Sequence, residues 1–259
     1  MCELYLHSRP DASRRHPLLG AFLAHAAKPF DNPDGWGLAF HHGDDAQLFH
    51  EPVAASDSAL AAWLARNPPA AATVVGHLRK ATSGAVGLAN TQPLSRVVTR
   101  RGGGAWRLVF AHNGGVAGFK DSAAGRALAA RALGSADSEI ALLDFIGVLA
   151  GRSLAEAWGD VLHFAARMAG YGPFNVVATD GRDSFAFSDR RAHAADGPDA
   201  PLREPGLFLH GFDKACVLTS EPMADVPGTA PEPLPRGSWL RLREGEVVAR
   251  GRLDLPPPS

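Results

Sequence analysis

Cysteine is scarce in this chain: only Cys2 and Cys216 occur among 259 residues, too far apart and too few for a disulfide framework. Two unpaired thiols suit a reducing compartment. The basic start and apolar run of a secretory signal are also missing, and no apolar stretch is long enough to span a bilayer. A cytoplasmic location is expected. Charge of a dominant sign is absent too, because 26 Lys+Arg against 27 Asp+Glu leave a formal net charge of −1. That balance removes the long-range field that would draw nucleic acid or anionic lipid, so the expected partner is a small molecule and neither nucleic acid nor membrane. Metal-ligand spacing is lacking: there is no H-E-x-x-H or C-x-x-C, and His41 and His42, adjacent on a strand, point to opposite faces. No metal and no other cofactor is expected. The glycine-rich "RVVTRRGGGA" at 96–105 lacks the G-x-x-x-x-G-K-[ST] pattern of a phosphate loop and reads as a surface hairpin tip.

What is present is a globular composition, 46% hydrophobic and 20% charged, with 28 glycines and 20 prolines to serve many turns. Ten short apolar runs read as strands: "CELYLHS", "GWGLAFHH", "AQLFHE", "TVVGHLR", "WRLVFAH", "FNVVATD", "SFAFSD", "KACVLTS", "SWLRLR" and "EVVAR". Helical spacing appears near 18–27 and 57–66 and more strongly at 137–150 and 153–169, where Leu142, Leu143, Ile146, Leu149 and Ala150 form one stripe of the first. Grouped strands and grouped helices argue for α+β layers. A single domain over residues 2–255 is expected, followed by a short tail at 256–259. Residues 96–105, 190–206 and the proline-rich 222–237 read as surface connections.

Cys2 has two readings. It either fills part of a core, or, once Met1 is removed, becomes a nucleophile whose own α-amine accepts the thiol proton near neutrality. "FAHNGG" at 110–115 reads as a strand entering an Asn-Gly hairpin turn, and equally as an oxyanion hole built from the Asn113 amide and the Gly114 backbone N–H. "GHLRKATSG" at 76–84 places His77 and Arg79 on one side of a strand, where the guanidinium can hold a carboxylate by two hydrogen bonds and Thr82 and Ser83 can add hydroxyls. In "SADSE", Asp137 reads as a helix N-cap with Glu139 in the first turn, or as a carboxylate that receives an ammonium group. Trp36 in "DNPDGWG" and Asn90 in "NTQPL" read as supporting structure, and Cys216 as an inert buried thiol.

Cys2, "DGWG", "GHLRKATSG", "NTQPL", "FAHNGG" and "ADSE", followed by "FNVVATDG" and "LTSEPM", resemble in their order the class II glutamine amidotransferases, which are N-terminal nucleophile hydrolases. The stand-alone bacterial type that begins M-C-E-L is the nearest in character. The resemblance implies a four-layer αββα sandwich of two antiparallel sheets. It further implies Cys2 as nucleophile, Asn113 and Gly114 as oxyanion hole, Arg79 and Thr82 on the substrate α-carboxylate, and Asp137 on its α-ammonium. His77 would sit near the substrate, with Asn90 and Trp36 supporting. The expected reaction is attack on the side-chain amide of glutamine, or of a γ-glutamyl compound, through a thioester that releases ammonia or an amine and then glutamate. Two other readings share these residues: an amidohydrolase for a larger γ-glutamyl substrate, as in the ergothioneine pathway, and a non-catalytic module that binds glutamine or docks on a synthase. With no synthase domain in the chain, an acceptor of ammonia would be a separate partner protein. Gln92, Leu94, Ala136 and Glu3 depart from the residues usual in relatives, without removing an implied catalytic group.

Overall fold

Side chains of β1 (Glu3–Ser13) alternate between two buried faces, with Leu4 and Leu6 on one and Tyr5 on the other, so this strand must be covered on both sides. The computed structural model describes residues 1–197, 199–223 and 230–256 and shows what does the covering. Strand β1 lies inside a seven-stranded sheet with β2 (Trp36–His42), β3 (Asp45–Glu51), β4 (Ala71–Leu78), β9 (Leu207–Phe212), β10 (Ala215–Thr219) and β11 (Glu232–Leu234). A second, six-stranded sheet holds β5 (Leu94–Thr99), β6 (Ala105–Gly114), β7 (Phe174–Thr179), β8 (Asp183–Phe187), β12 (Ser238–Arg243) and β13 (Glu246–Arg252). Every pairing in both sheets is antiparallel.

The sheets stack face to face on an apolar layer of Leu4, Leu6, Val75, Val109, Ala111 and Val177. Outside the first sheet, α1 (Leu19–Ala24) and α2 (Ala59–Arg66) cover Tyr5, Leu38, Phe40 and Val74. Outside the second lie α5 (Asp137–Leu149) and α6 (Trp158–Ala169), flanked by α3 (Ala117–Lys120) and α4 (Ala123–Ala129). Phe145 of α5 packs between Phe110 and Phe164, at ring separations of 5.7 and 4.8 Å. Burial of such a side chain contributes roughly 1.5–3 kcal/mol. The result is the four-layer αββα sandwich. Among the described residues no helix is long and apolar enough to cross a membrane.

All ten expected strands form, and among the described residues three more join them. The segment 96–105 is not simply a surface loop, since residues through Thr99 pair with β6 and only the tip turns. Likewise β11 lies within the proline-rich 222–237, where a three-residue strand tolerates Pro233 because it is the sheet's edge; residues 224–229 of that segment, and 257–259 of the expected tail, lie outside the described residues. The connection at 190–206 begins inside the protein, with Arg191 and His193 buried. Helix α6 starts at Trp158 rather than 153, and Ala150, expected on the apolar stripe of α5, is instead its exposed, left-handed C-cap.

Candidate functional site

Inward alternation along four strands converges at one end of the layer between the sheets. The series Leu6, Leu4 continues to Cys2, Val75 continues to His77 and then Arg79, Val109 and Ala111 continue to Asn113, and Val177 continues to Asn175. At these ends apolar residues give way to polar ones, all buried or half-buried. The start of α5 closes the site from the second sheet's side. One cleft is lined by Cys2, Arg79, Thr82, Asn90, Gly114 and Asp137 together. Its free volume is about 20 Å³, space for about one water molecule.

The Cys2 thiol sits between the two backbone groups of Lys80, 3.3 Å from the carbonyl oxygen and 3.3 Å from the N–H. Burial pushes its pKa up, while the Lys80 N–H, the chain terminus and Arg79 pull the other way. The Asn113 amide donates to the carbonyl of Cys2, and its Oδ1 has no partner among the described residues. Gly114 adopts φ +139°, and a β-carbon there would lie 1.9 Å from the Pro173 carbonyl oxygen, so glycine is required where β6 passes β7. Strand β6 therefore runs through Asn113 and Gly114, paired with Asn175 and Phe174, and leads into a helix; the Asn-Gly hairpin turn does not form.

Arg79 is buried just beyond β4, where its backbone pairs with Gly35 and Asp34 and its Nη2 donates to the carbonyls of Ser83 and Gly84, each at 3.1 Å. Its Nη1 has no partner among the described residues. Asp137 is not the N-cap of α5. Ala136 holds that position without a side-chain cap, and Asp137 opens the helix with its Oδ2 accepting the Val116 N–H at 2.6 Å. Asn90 joins the two walls: its Oδ1 accepts the N–H groups of Ser135 and Ala136, and its Nδ2 donates to the Ala85 carbonyl at 2.9 Å. Trp36 is fully buried and donates to Glu51 at 3.1 Å, behind the site rather than in it. Thr82 stands exposed at the rim. Glu139 is buried and holds the Leu133 and Gly134 N–H groups.

Three residues not singled out as functional help to shape the site. Gln92 brackets the His112 backbone with both ends of its amide, and Ser138 meets the His112 ring at 2.9 Å. Glu221, in "LTSEPM", forms a fully buried ion pair with Arg191 at 2.8 Å. The quoted motifs contained Gln92 and Glu221, but nothing in their spacing paired them with His112 and Arg191.

Four buried histidines stay neutral well into acid. Burial is the main cause in each, lowering His7 and His77 to about 3 and His41 and His210 to about 4. Their folded pKa values lie below the ordinary 6.5, so the unfolded chain binds more protons between those limits and stability falls as pH drops below about 6.5. For His77 alone the loss at pH 5 is about 2 kcal/mol. Thermal unfolding measured at pH 7 and pH 5 should show a clearly lower midpoint at pH 5; equal midpoints would contradict this.

The family description "Glutamine amidotransferases class-II" matches residues 18–256. Over 166 residues the chain is 30% identical to an Escherichia coli K12 protein named "Putative glutamine amidotransferase YafJ", covering 62% of each. A Haemophilus influenzae protein named "Putative glutamine amidotransferase" is 26% identical over 230 residues, 83% of this chain and 72% of that one. Among solved structures, the glutamine phosphoribosylpyrophosphate amidotransferase of B. subtilis superposes with a TM-score of 0.69 at 18% identity, over 97% of this chain and 49% of that chain. A protein from Pseudomonas aeruginosa described as a predicted glutamine amidotransferase gives 0.60 at 24% identity, over 96% of this chain and all of its own. At such identities the structural likeness speaks for the fold alone. The chain covers less than two thirds of YafJ and about half of the B. subtilis enzyme. Cys2 lies ahead of the residues that the family description matches.

Proposed function

The chain belongs to the class II glutamine amidotransferases, and from that premise we propose that Cys2, freed of Met1, attacks the side-chain amide of glutamine or of a γ-glutamyl compound. The observation that carries this reading is the convergence on one cleft of Cys2, Arg79, Gly114 and Asp137, with the Asn113 amide on the Cys2 carbonyl beside it. The α-amine of Cys2 takes the thiol proton as the C–S bond forms and returns it to the leaving nitrogen. Asn113 Nδ2 and the Gly114 N–H hold the developing oxyanion. In the chain that still carries Met1, that Asn113 donor rests on the Cys2 carbonyl. Water then cleaves the thioester, releasing glutamate and regenerating the thiol.

Arg79 takes the α-carboxylate, with Thr82 assisting, and Asp137 takes the α-ammonium. In this reading the loop after Arg79 moves outward on binding, exchanging the Ser83 and Gly84 carbonyls on Arg79 for the substrate carboxylate; the narrowness of the cleft supports it. His77, Asn90 and Trp36 support this geometry. Residues 2–255 act as one unit in this reading, ammonia passes to water or to a separate partner protein, and the two unpaired thiols favour the cytoplasm.

Intact mass and trapping by diazo-oxo-norleucine test the reading. The expected result is a protein lacking Met1 that is labelled at Cys2 and hydrolyses glutamine or a γ-glutamyl amide. Retention of Met1 in the native protein would defeat it, and reversible glutamine binding without labelling or turnover would favour a binding module instead.

A further inference from the structure

We propose that the pocket around Met1 is the leaving-group subsite of this reaction, where Arg191 and Lys80 select an amine that carries a carboxylate. The inference rests on the catalytic reading above and extends it from the glutamyl half of the substrate to the other half.

Direction comes first. If the α-amine of Cys2 returns the proton, the leaving nitrogen must come within about 2.6–3.2 Å of it. In the unprocessed chain Met1 is bonded to that same nitrogen, so Met1 occupies the space on the leaving side. It lines a pocket of about 410 Å³ together with Lys28, Phe30, Lys80, Arg191 and His193. Lys80 joins the two cavities, with its backbone on the Cys2 thiol and its side chain in this pocket. Release of ammonia needs space for one heavy atom, whereas 410 Å³ is the scale of a small-molecule site. Removal of Met1 adds the volume of that residue to this space, next to the freed α-amine of Cys2.

Chemistry comes second. Arg191 is 1% exposed; one side of its guanidinium meets Glu221 at 2.8 Å and its Nε donates to the Ala192 carbonyl at 3.2 Å. Its Nη1 has no partner among the described residues. A buried cationic donor left unpaired is costly, and a carboxylate is the group its geometry matches. The acids that line the pocket are already engaged, Glu3 by His25 and Asn32 and Asp31 by Lys80, and Glu221, which does not line it, is held by Arg191 and His193. Burial and then Arg191 lower the pKa of the terminal amine that now sits there, so the pocket disfavours a cation. In the reaction the γ-glutamyl C–N bond breaks, the C–S bond forms, and the thiol proton leaves on the amine that bears the carboxylate.

The test uses processed enzyme and pairs of γ-glutamyl amides matched in size, such as γ-glutamyl-alanine and γ-glutamyl-alaninamide. In the wild type kcat/KM should be about tenfold or more higher for the carboxylate, as one charge-assisted contact allows. Arg191→Lys, which keeps a charge for Glu221 but loses the fork, should bring the ratio close to one, and Lys80→Met should reduce it in part. A wild-type ratio near one, or a ratio unmoved in both variants, overturns the subsite. Should Arg191→Lys not fold, the wild-type ratio and Lys80→Met, at a half-exposed position, still decide. Failure to turn over any γ-glutamyl compound, glutamine included, overturns the catalytic reading and the subsite with it. Glutamine turnover without carboxylate preference overturns the subsite alone.

Discussion

Cys2→Ala is expected to lower turnover of glutamine or its γ-glutamyl analogues by about 10⁴-fold or more, the scale seen when a covalent nucleophile is removed. No second thiol can take its place. Cys216 is buried in β10, and burial, with the Glu246 charge adding to it, pushes its pKa up to about 12. The loss should be catalytic rather than structural, because among the described residues the Cys2 side chain hydrogen-bonds only to the Lys80 backbone, worth about 1 kcal/mol. A second variant separates thiol from amine. Inserting a lysine between Met1 and Cys2 keeps the thiol but blocks removal of Met1 and leaves the nitrogen of Cys2 in a peptide bond. Turnover should then fall by about 10²- to 10⁴-fold, the range ascribed to general acid–base catalysis. The rate of glutamate release, with circular dichroism to confirm folding, measures both. An alanine variant that keeps more than a hundredth of the activity would remove Cys2 from the mechanism, and a fully active insertion variant would remove the amine.

Gly114→Ala should be the most damaging single methyl in the site. Its β-carbon would meet the Pro173 carbonyl at 1.9 Å for oxygen and 2.7 Å for carbon, and both are backbone atoms that cannot rotate away. That carbonyl also accepts the Gly115 N–H at 2.9 Å, so relief requires the ends of β6 and β7 to separate. Together with the cost of φ +139° for an L-residue, destabilisation of about 3–5 kcal/mol is expected. For a chain of this size that is a fall of roughly 10 °C in Tm. Gly115→Ala is the control one residue away, because its nearest contact would be 3.9 Å, to the Asp137 carboxylate. It should shift Tm by only a few degrees. Differential scanning calorimetry of the pair decides, and equal losses would mean that the strand crossing is not what demands glycine at 114.

The layered architecture was legible because it depends on local pattern. Two-residue alternation located ten strands, and helical spacing located α1, α2, α5 and α6. What escaped has a physical reason in each case. Strand β9 sits beside "PLREPG" and β11 contains Pro233, and an isolated window gives no sign that an edge position excuses the proline. The short α3 and α4 are held by contact with α5 rather than by propensity. Asp137 looked like a cap because it precedes an apolar stripe; only the fold brings Val116 within reach of its carboxylate, which moves it into the first turn.

For the candidate site, the sequence by itself determined the kind and order of the polar groups: a thiol behind a removable methionine, an amide before a glycine, an arginine at a strand end and a carboxylate at a helix start. Each belongs to a short segment whose chemistry is written in adjacent residues. Tertiary structure alone decided that four inward series end at the same edge of the sandwich, because which strand ends meet depends on pairings between residues far apart in the chain, such as Glu3 with Leu78 and Asn113 with Asn175. The same is true of the space beside Met1. Arg191 looks like a loop residue in the chain, and it becomes a buried, half-paired cation only where the connection folds back onto Glu221.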